Sequence, residues 1–315
     1  MATQRANAKK ESKFEALLPA AIDLEDETKF VGYEDSSIES EIKLIFKDGK
    51  EVKSASEGEC MIVLDSTPFY GESGGQVGDK GKLSAKGLEI EVLDTQKIGN
   101  FHLHISKIKK GSINLNDRVK AEINTERRRA IVSNHSATHL MHSALRNILG
   151  EHVQQKGSLV NEEKLRFDFS HKQKLSESEI VKIDQEVNQD RVSAEDTEII
   201  ETSIEESQKL GAIAFFGEKY GDQVRVLKIA GDYSTELCGG THVKNSSEIK
   251  SFKIISETSI SSGVRRIEAI SGDLAIKDKA DNKADLLNTA ETFNLSLIHI
   301  LRCRREEVLL WGWGG

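Results

Sequence analysis

The pattern of hydrophobic and polar residues makes the first part of the chain rich in predicted strands. Short segments alternate or run apolar as strands do, among them "EIKLIF", "MIVLD", "LEIEVLD" and "FHLHISKI". The first of these is followed by Asp48 and Gly49, a favoured hairpin turn. Residues 31–122 are therefore predicted to form an antiparallel sheet closed into a small β-barrel-like subdomain.

The spacing of apolar residues becomes helical in the next part of the chain. They recur one turn apart through "NTERRRAIVSNHSATHLMHSALRNILG", with Thr125 as the expected N-cap and Gly150 as the stop. Ser176 and Ser203 are each followed three residues later by glutamate, a capping-box spacing that predicts two further helices. Because strand-like segments such as "KLRFDFS" and "QVRVLKIA" alternate with these helices, residues 123–272 are predicted to be α+β.

The two ends of the chain lack these patterns. Residues 1–30 are charged and weakly periodic, which indicates a lead-in linker, and residues 273–295 space alanine and leucine like the start of a helical connector. The last stretch, "LSLIHILRCRREEVLLWGWGG", holds both tryptophans and resembles translated vector sequence. Residues 296–315, with His299 and Cys303, are therefore expected to be a non-native tail.

The composition is that of an ordinary globular chain, with 37% hydrophobic and 30% charged residues among 315. No apolar run approaches the roughly 18 residues of a membrane span, and the N-terminus "MATQRANAKKESK" has no signal-peptide core. We therefore expect a cytoplasmic protein that does not bind membranes. The three cysteines do not indicate a disulfide scaffold, and Cys60, in an apolar run, is expected to be buried in a strand.

The net charge of −8 argues against a protein that binds nucleic acid over its whole surface, since phosphate contacts depend on lysine and arginine. Local basic clusters remain candidates for such contacts. They are "ERRRA" at residues 126–130, which contains Arg128, with "VRR" at residues 264–266 and Lys156 as weaker candidates. For each, a solvated helix or loop face is the alternative interpretation.

Two pairs of potential metal ligands share one spacing. His135 and His139 in "HSATH" lie four residues apart, so a helix projects both from one face, and Cys238 and His242 in "CGGTH" repeat the spacing. Cysteine and histidine are zinc ligands, and we expect the fold to bring the pairs together on one Zn²⁺ ion. Zinc peptidases carry a glutamate beside the first histidine, but here that residue is Ser136, so peptidase chemistry is not expected.

Two alternatives to this site remain open from the residues alone. His142, further along the same helix, is a rival fourth ligand, although Met141 and Ala144 suggest that it borders the core. The zinc site can also be purely structural, holding the helix to the loop, as closed Cys/His sites often do.

A glycine-rich run, "STPFYGESGGQVGDKG" at residues 66–81, does not fit the dinucleotide or Walker motifs, so a mononucleotide-phosphate site is not expected. The run predicts a loop whose backbone, including Gly74 and Gly75, closely approaches a ligand. Hairpin turns at a barrel rim are the alternative.

Several segments together resemble the editing domain of alanyl-tRNA synthetases. They are "FYGESGGQVGD", "NHSATHLMHSALRNILGEHVQQKGSLV", "LRFDFSH" and "ELCGGTHV", in the family's order and spacing. The resemblance extends over the flanks to about Leu295. The family's aminoacylation domain, with its ATP and alanine site, has no counterpart in this stretch, so no ATP site and no tRNA charging are expected.

The resemblance implies hydrolysis of tRNA(Ala) that is mischarged with serine or glycine, at a zinc site formed by the two ligand pairs. It implies catalytic roles for Gln155 and Cys238, with covalent catalysis disfavoured because no Ser-His-Asp arrangement is evident. The substrate-binding residues predicted with it are Thr67, Gly74, Gly75, Gln76, Arg128 and Lys156. A tRNA-binding or interaction module with a structural zinc is the alternative function.

Overall fold

A computed structural model describes residues 27–190, 193–214 and 221–292 of the chain. The predicted lead-in over residues 1–30 is thus described only from residue 27. The predicted tail at residues 296–315, with His299 and Cys303, lies outside the described residues. Within the described ranges, no helix combines the length and the hydrophobicity needed to cross a membrane.

The first part of the described chain is a closed antiparallel barrel. The strands of this part are β1 (Lys29–Phe30), β2 (Ser37–Lys47), β3 (Lys50–Glu51), β4 (Ser54–Ala55), β5 (Gly58–Leu64), β6 (Ser66–Thr67), β7 (Gly81–Ala85), β8 (Leu88–Ile98), β9 (Phe101–Lys110), β10 (Ile113–Asn114) and β11 (Arg118–Ile123). The pairs β1-β6 and β4-β10 lie outside the barrel sheet. The barrel sheet runs β11-β7-β8-β9-β5-β2, and pairing of β11 with β2 closes it. The predicted barrel is therefore confirmed.

The barrel closes around the apolar face of its strands. In β8, Leu88, Ile90 and Val92 are buried, and the intervening Glu89 and Glu91 are exposed. This alternation follows from the two-residue period of a strand, and each fully buried aliphatic side chain stabilises the fold by about 1.5–3 kcal/mol.

Two local predictions for the barrel are confirmed. Asp48 and Gly49 have φ angles of 51° and 74° and join β2 to β3 in an antiparallel hairpin. Such a turn needs positive φ at both positions, which asparagine, aspartate and glycine tolerate best. Cys60 is buried in β5, with 4% of its surface exposed.

The second part of the described chain is α+β, as predicted. Its helices are α1 (Thr125–Leu149), α2 (Glu177–Asp190), α3 (Ile204–Lys209) and α4 (Gly272–Thr292), with a 3₁₀ turn at Ser246–Ile249. Its strands are β12 (Gln155–Val160), β13 (Leu165–Ser170), β14 (Glu198–Ser203), β15 (Gln223–Ile229), β16 (Ser234–Leu237), β17 (Phe252–Ser261) and β18 (Val264–Ser271). They form two antiparallel sheets, β12-β13-β18-β17 and β14-β15-β16.

Helix α1 is the central element of this part. Its N-cap is Asn124 and not the predicted Thr125, because Asn124 keeps an extended backbone and its side chain accepts a hydrogen bond from the Arg127 N–H. Gly150, with φ 112°, ends the helix as predicted. From Ser133 to Leu145 every residue is buried, so the helix is covered on all sides.

The glycine-rich run packs against the second part of the chain. The carbonyl of Gly75 accepts a hydrogen bond from the Val160 N–H at 2.8 Å, and the Val77 N–H donates to the Val160 carbonyl at 3.1 Å. A Cβ atom on Gly75 would lie 2.7 Å from the Ser158 carbonyl oxygen. The backbone makes a close approach at Gly75, and its neighbour there is strand β12.

Candidate metal centre

Four side chains from α1 and from the segment after β16 meet at one point. The ligand atoms of His135, His139, Cys238 and His242 all lie within 4.8 Å of one another. The Cys238 Sγ atom lies 3.3 Å from Nε2 of His242 and 3.6 Å from Nε2 of His135. Zinc bonds of about 2.0–2.3 Å in a tetrahedron place ligand atoms about 3.3–3.8 Å apart, so this geometry is compatible with zinc.

The two histidines from α1 have their Nδ1 atoms held from outside the cluster. Oε1 of Gln76 lies 2.8 Å from Nδ1 of His135, and Oε2 of Glu236 lies 2.7 Å from Nδ1 of His139. An amide oxygen and a carboxylate can only accept, so each Nδ1 carries the hydrogen and Nε2 is the atom available to a metal. Support of this kind is typical of metal-binding histidines.

The orientation of Gln76 is set by the segment that carries the second pair of ligands. Its Nε2 donates to Oγ1 of Thr241 at 2.8 Å, and its Oε1 accepts from the Thr241 N–H at 3.0 Å. Gly240 permits this packing, since a Cβ atom there would lie 2.2 Å from Cε1 of His135. The second glycine of "CGGTH", Gly240, is therefore needed for close contact with His135.

The charges in the cluster favour the zinc-binding forms of Cys238 and His242. Burial alone would raise the pKa of the Cys238 thiol, but the imidazoles of His135 and His242 hold that pKa well below its usual value. Burial lowers the pKa of His242 to about 3, with a contribution from His135. A thiolate and a neutral imidazole are zinc ligands, so no proton has to leave either group when a metal binds.

Glu236 is a residue of the candidate site that sequence reasoning missed. Burial would raise its pKa, but His139 and His142 lower it to about 2, so the buried carboxylate stays ionised. Against the effect of burial, the same carboxylate raises the pKa of His139 to about 10, so this histidine would have to lose its Nε2 proton when a metal binds. The available signal was the position of this acidic residue in "TELCGGTH", within a short strand that is otherwise uncharged.

His142, the rival ligand, lies outside the four-residue cluster. Its Nδ1 lies 2.8 Å from Oε1 of Glu236, and its ring packs against Phe167 with the centroids 5.1 Å apart. His142 thus shares the carboxylate that supports His139, and the expectation that it borders the core is correct.

The cluster lines a cleft of about 620 Å³ between the barrel and the second part of the chain. His135, His139 and Cys238 face this space. The barrel contributes mostly aromatic and basic residues, namely Phe30, Tyr33, Tyr70, Lys97 and His102. A ligand in the cleft would therefore contact both parts of the chain.

Gln155, which was predicted to be catalytic, and Gly74, which was predicted to bind substrate, also line the cleft. Gln155 is the first residue of β12, directly before a bulge in its pairing with β13. Thr67 and Gln76 were predicted to contact substrate, but both are fully buried, at 0% exposure, and neither lines the cleft. Thr67 instead lies 2.8 Å from Nε2 of His104, inside the barrel.

Arg128 and Lys156, the two basic residues predicted to contact the substrate, lie in different environments. The Arg128 guanidinium is paired with Asp79 and donates to the carbonyls of Gly32 at 2.7 Å and Pro68 at 3.0 Å. Direct contact of this side chain with tRNA would require those bonds to break, so the geometry favours a role between α1 and the barrel. Lys156 is exposed beside Gln155, outside the cleft.

Two family models match the chain. The model described as "tRNA synthetases class II (A)" matches residues 1–127, which include the barrel. The model described as "Threonyl and Alanyl tRNA synthetase second additional domain" matches residues 224–268, which include Glu236, Cys238 and His242.

Curated relatives align with most of the chain. The alanine-tRNA ligase of Halorhodospira halophila is 46% identical over 294 residues, which are 91% of this chain and 34% of the relative. That of Francisella tularensis subsp. novicida is 48% identical over 312 residues, which are 98% of this chain and 36% of the relative. That of Alkaliphilus metalliredigens is 50% identical over 268 residues, which are 84% of this chain and 30% of the relative. The chain spans about a third of the length of these relatives.

Proposed function

Because the chain belongs to the alanyl-tRNA synthetase family, we propose that it deacylates tRNA(Ala) mischarged with serine or glycine. The observation that carries this proposal is the Cys/His cluster on the wall of a cleft large enough for an aminoacyl group and a terminal nucleoside. The two parts of the chain that the family models match both contribute to that cleft.

Such an activity meets a need that an aminoacylation site cannot meet. Small apolar pockets separate ligands that differ by one small group by only about 1–3 kcal/mol, so a site for alanine admits glycine and serine. A second, hydrolytic site can use the hydroxyl group that alanine lacks. Polar groups placed for serine would be left unpaired with alanine, which spares the correct product.

The proposed metal is zinc, held by His135, His139, Cys238 and His242. Imidazole and thiolate donors suit zinc and not magnesium or calcium, which prefer oxygen. When bound, zinc would supply a Lewis acid that polarises an ester carbonyl or acidifies a water molecule. Gln76 and Glu236 then act by keeping the Nδ1 hydrogens of His135 and His139 in place.

Other groups in the cleft and on the surface around it bind and orient the substrate in this proposal. The Gln155 amide can donate to or accept from the attacking water or the aminoacyl group. Lys97 on the barrel wall, Lys156 beside Gln155 and the exposed Arg129 on α1 can contact the phosphates of the tRNA acceptor end. Gly74 leaves room at the cleft wall, since no atom lies within 4 Å of a Cβ built there.

A tRNA-binding module with a structural zinc is the second candidate. One observation favours it, because four protein ligands within 4.8 Å of one another are enough to close a tetrahedral shell. Catalytic zinc sites usually keep one position open. The two functions differ in a single measurable property, which is hydrolysis of the ester.

Single-turnover hydrolysis of Ser-tRNA(Ala), Gly-tRNA(Ala) and Ala-tRNA(Ala) tests the proposal. We expect the first two substrates to be hydrolysed and the third to be spared. Binding of all three tRNAs without hydrolysis of any, by folded and zinc-loaded protein, would establish the structural-zinc alternative in its place.

A further inference from the structure

The segment from Cys238 to Gly240 is held by its carbonyl groups. Nη1 of Arg225 donates to the carbonyl oxygen of Cys238 at 3.0 Å and to that of Gly240 at 3.1 Å. The hydroxyl of Tyr33 donates to the intervening carbonyl of Gly239 at 2.7 Å. Two side chains therefore bind three successive carbonyl groups, directly at a predicted metal ligand.

Tyr33 and Arg225 also contact each other. The guanidinium carbon of Arg225 lies 4.3 Å from the centroid of the Tyr33 ring, which is a cation–π contact. Tyr33 belongs to the barrel, in the turn after β1, whereas Arg225 belongs to β15. We call this pair the Tyr33–Arg225 clamp.

The barrel side of the clamp is fixed by α1. Arg128 donates to the Gly32 carbonyl at 2.7 Å, next to Tyr33 in the chain. A Cβ atom on Gly32 would lie 2.1 Å from the Pro68 carbonyl oxygen, so the turn lies tightly against the barrel. The helix that carries His135 and His139 thus also holds the turn that positions Cys238.

The segment has reason to need external support. Two adjacent glycines, Gly239 and Gly240, give the backbone more conformational freedom than other residues would, and a Cys238 side chain follows its backbone. Catalysis and metal affinity both depend on ligand positions to within about 1 Å. A clamp on the carbonyl groups restricts this freedom without occupying the cleft face of the Cys238 sulfur.

We propose that Tyr33 and Arg225 are positioning residues for the candidate metal centre. They set the place of the Cys238 sulfur relative to the three imidazoles, so a residue of the barrel controls a site whose ligands all lie in the second part. The kinetic consequence rests on the proposed function, but the consequence for metal binding does not.

The test uses Tyr33→Phe, Arg225→Lys and the double variant in the full chain. Phenylalanine keeps the ring and loses the bond to Gly239. Lysine keeps the charge but is shorter, and it lacks both the Nη1 atom that donates to Cys238 and Gly240 and the planar group that stacks on Tyr33. Lys228→Gln is the control. Lys228 lies on β15, as Arg225 does, but it pairs with Asp232 and not with the segment from Cys238 to Gly240. Zinc affinity by chelator competition, the visible spectrum of the cobalt-loaded protein and thermal unfolding are measured for each.

We expect each single variant to weaken zinc binding by about 10-fold and to change the cobalt spectrum, with unfolding close to that of the control. Because the two side chains act as one unit, the double variant should lose less than the product of the single losses. Parent-like zinc affinity and cobalt spectra in folded single variants would overturn the proposal. Failure of the parent to hydrolyse Ser-tRNA(Ala) would instead refute the proposed function and leave these metal measurements as the test of the clamp.

Discussion

Both parts of the molecule bury histidines, but the ring nitrogens of the two groups are used differently. In the barrel, Nδ1 of His104 lies 2.9 Å from the Ile62 carbonyl and Nε2 lies 2.8 Å from Oγ1 of Thr67. In the second part, Nδ1 of His135 faces Gln76 and Nε2 faces the Cys238 sulfur. Burial of a histidine alone therefore does not indicate a metal site. The convergence of histidine Nε2 atoms on the sulfur of Cys238 does indicate one.

The cysteines show the same contrast. Burial raises the pKa of Cys60 to about 11, so this barrel residue stays a neutral thiol. Cys238 is half-buried at the cleft wall, and the neighbouring imidazoles hold its pKa well below the usual value against the effect of burial. The charges around a buried group, more than the degree of burial, decide whether a cysteine can act as a ligand.

Cys238→Ala should have the largest effect of the changes that probe this contrast. Three histidines remain and can still hold zinc in an open site, so the fold should survive. Hydrolysis of Ser-tRNA(Ala) should fall by at least about 100-fold, because the charge and geometry at the metal change. Single-turnover kinetics and circular dichroism measure the two effects.

Cys60→Ala is the matched control for that variant. It removes a buried thiol from the barrel and should leave the hydrolysis rate of the folded protein unchanged. A folded Cys238→Ala protein with the parent's rate would move the catalytic assignment to Gln155 and the glycine-rich run.

Glu236→Gln should have an intermediate effect. The amide keeps the shape of the side chain but removes the charge that faces His139 and His142. Loss of such support typically lowers metal affinity by about 10- to 100-fold, and chelator competition measures it. Glu268→Gln, which removes a carboxylate paired with Lys164, should leave zinc affinity unchanged, and equal affinities in both variants would contradict the role given to Glu236.

The smallest expected effect is a pH dependence of the free energy of unfolding, and it comes from His104 in the barrel. Burial lowers the pKa of His104 from 6.5 to about 3, so the unfolded chain binds a proton between these values and the folded chain does not. The stabilisation by this group is complete above pH 6.5 and is lost as the pH falls towards 3, by about 2 kcal/mol at pH 5. Denaturant unfolding of the parent and of His104→Gln should therefore give stability differences that shrink with falling pH, and a constant difference would refute the assignment.

Much of the candidate site could be predicted from local sequence spacing. Histidines four residues apart on α1 share a face because of the helical period, and the barrel strands alternate because of the two-residue period of a strand. Both patterns depend only on near neighbours in the chain. The pairing of ligands within each segment and the alternation along each barrel strand follow for this reason. The meeting of His135 with Cys238, 103 positions apart, has no such local basis and was expected from their shared ligand chemistry.

The residues that support the ligands could not be predicted in this way. Gln76 contacts His135 across 59 positions of the sequence, and Glu236 contacts His139 across 97. No local period encodes such contacts. Thr67 illustrates the same point, since the sequence around the glycine-rich run does not reveal that its hydroxyl lies 2.8 Å from Nε2 of His104.

The most direct test of the account is metal analysis of the purified full chain, combined with X-ray absorption spectroscopy at the zinc edge. We predict about one zinc ion per chain, with three nitrogen ligands at about 2.0–2.1 Å and one sulfur ligand at about 2.3 Å. Clearly less than one zinc per folded chain after exposure to the metal, or a zinc shell without sulfur, would contradict the shared site of His135, His139, Cys238 and His242.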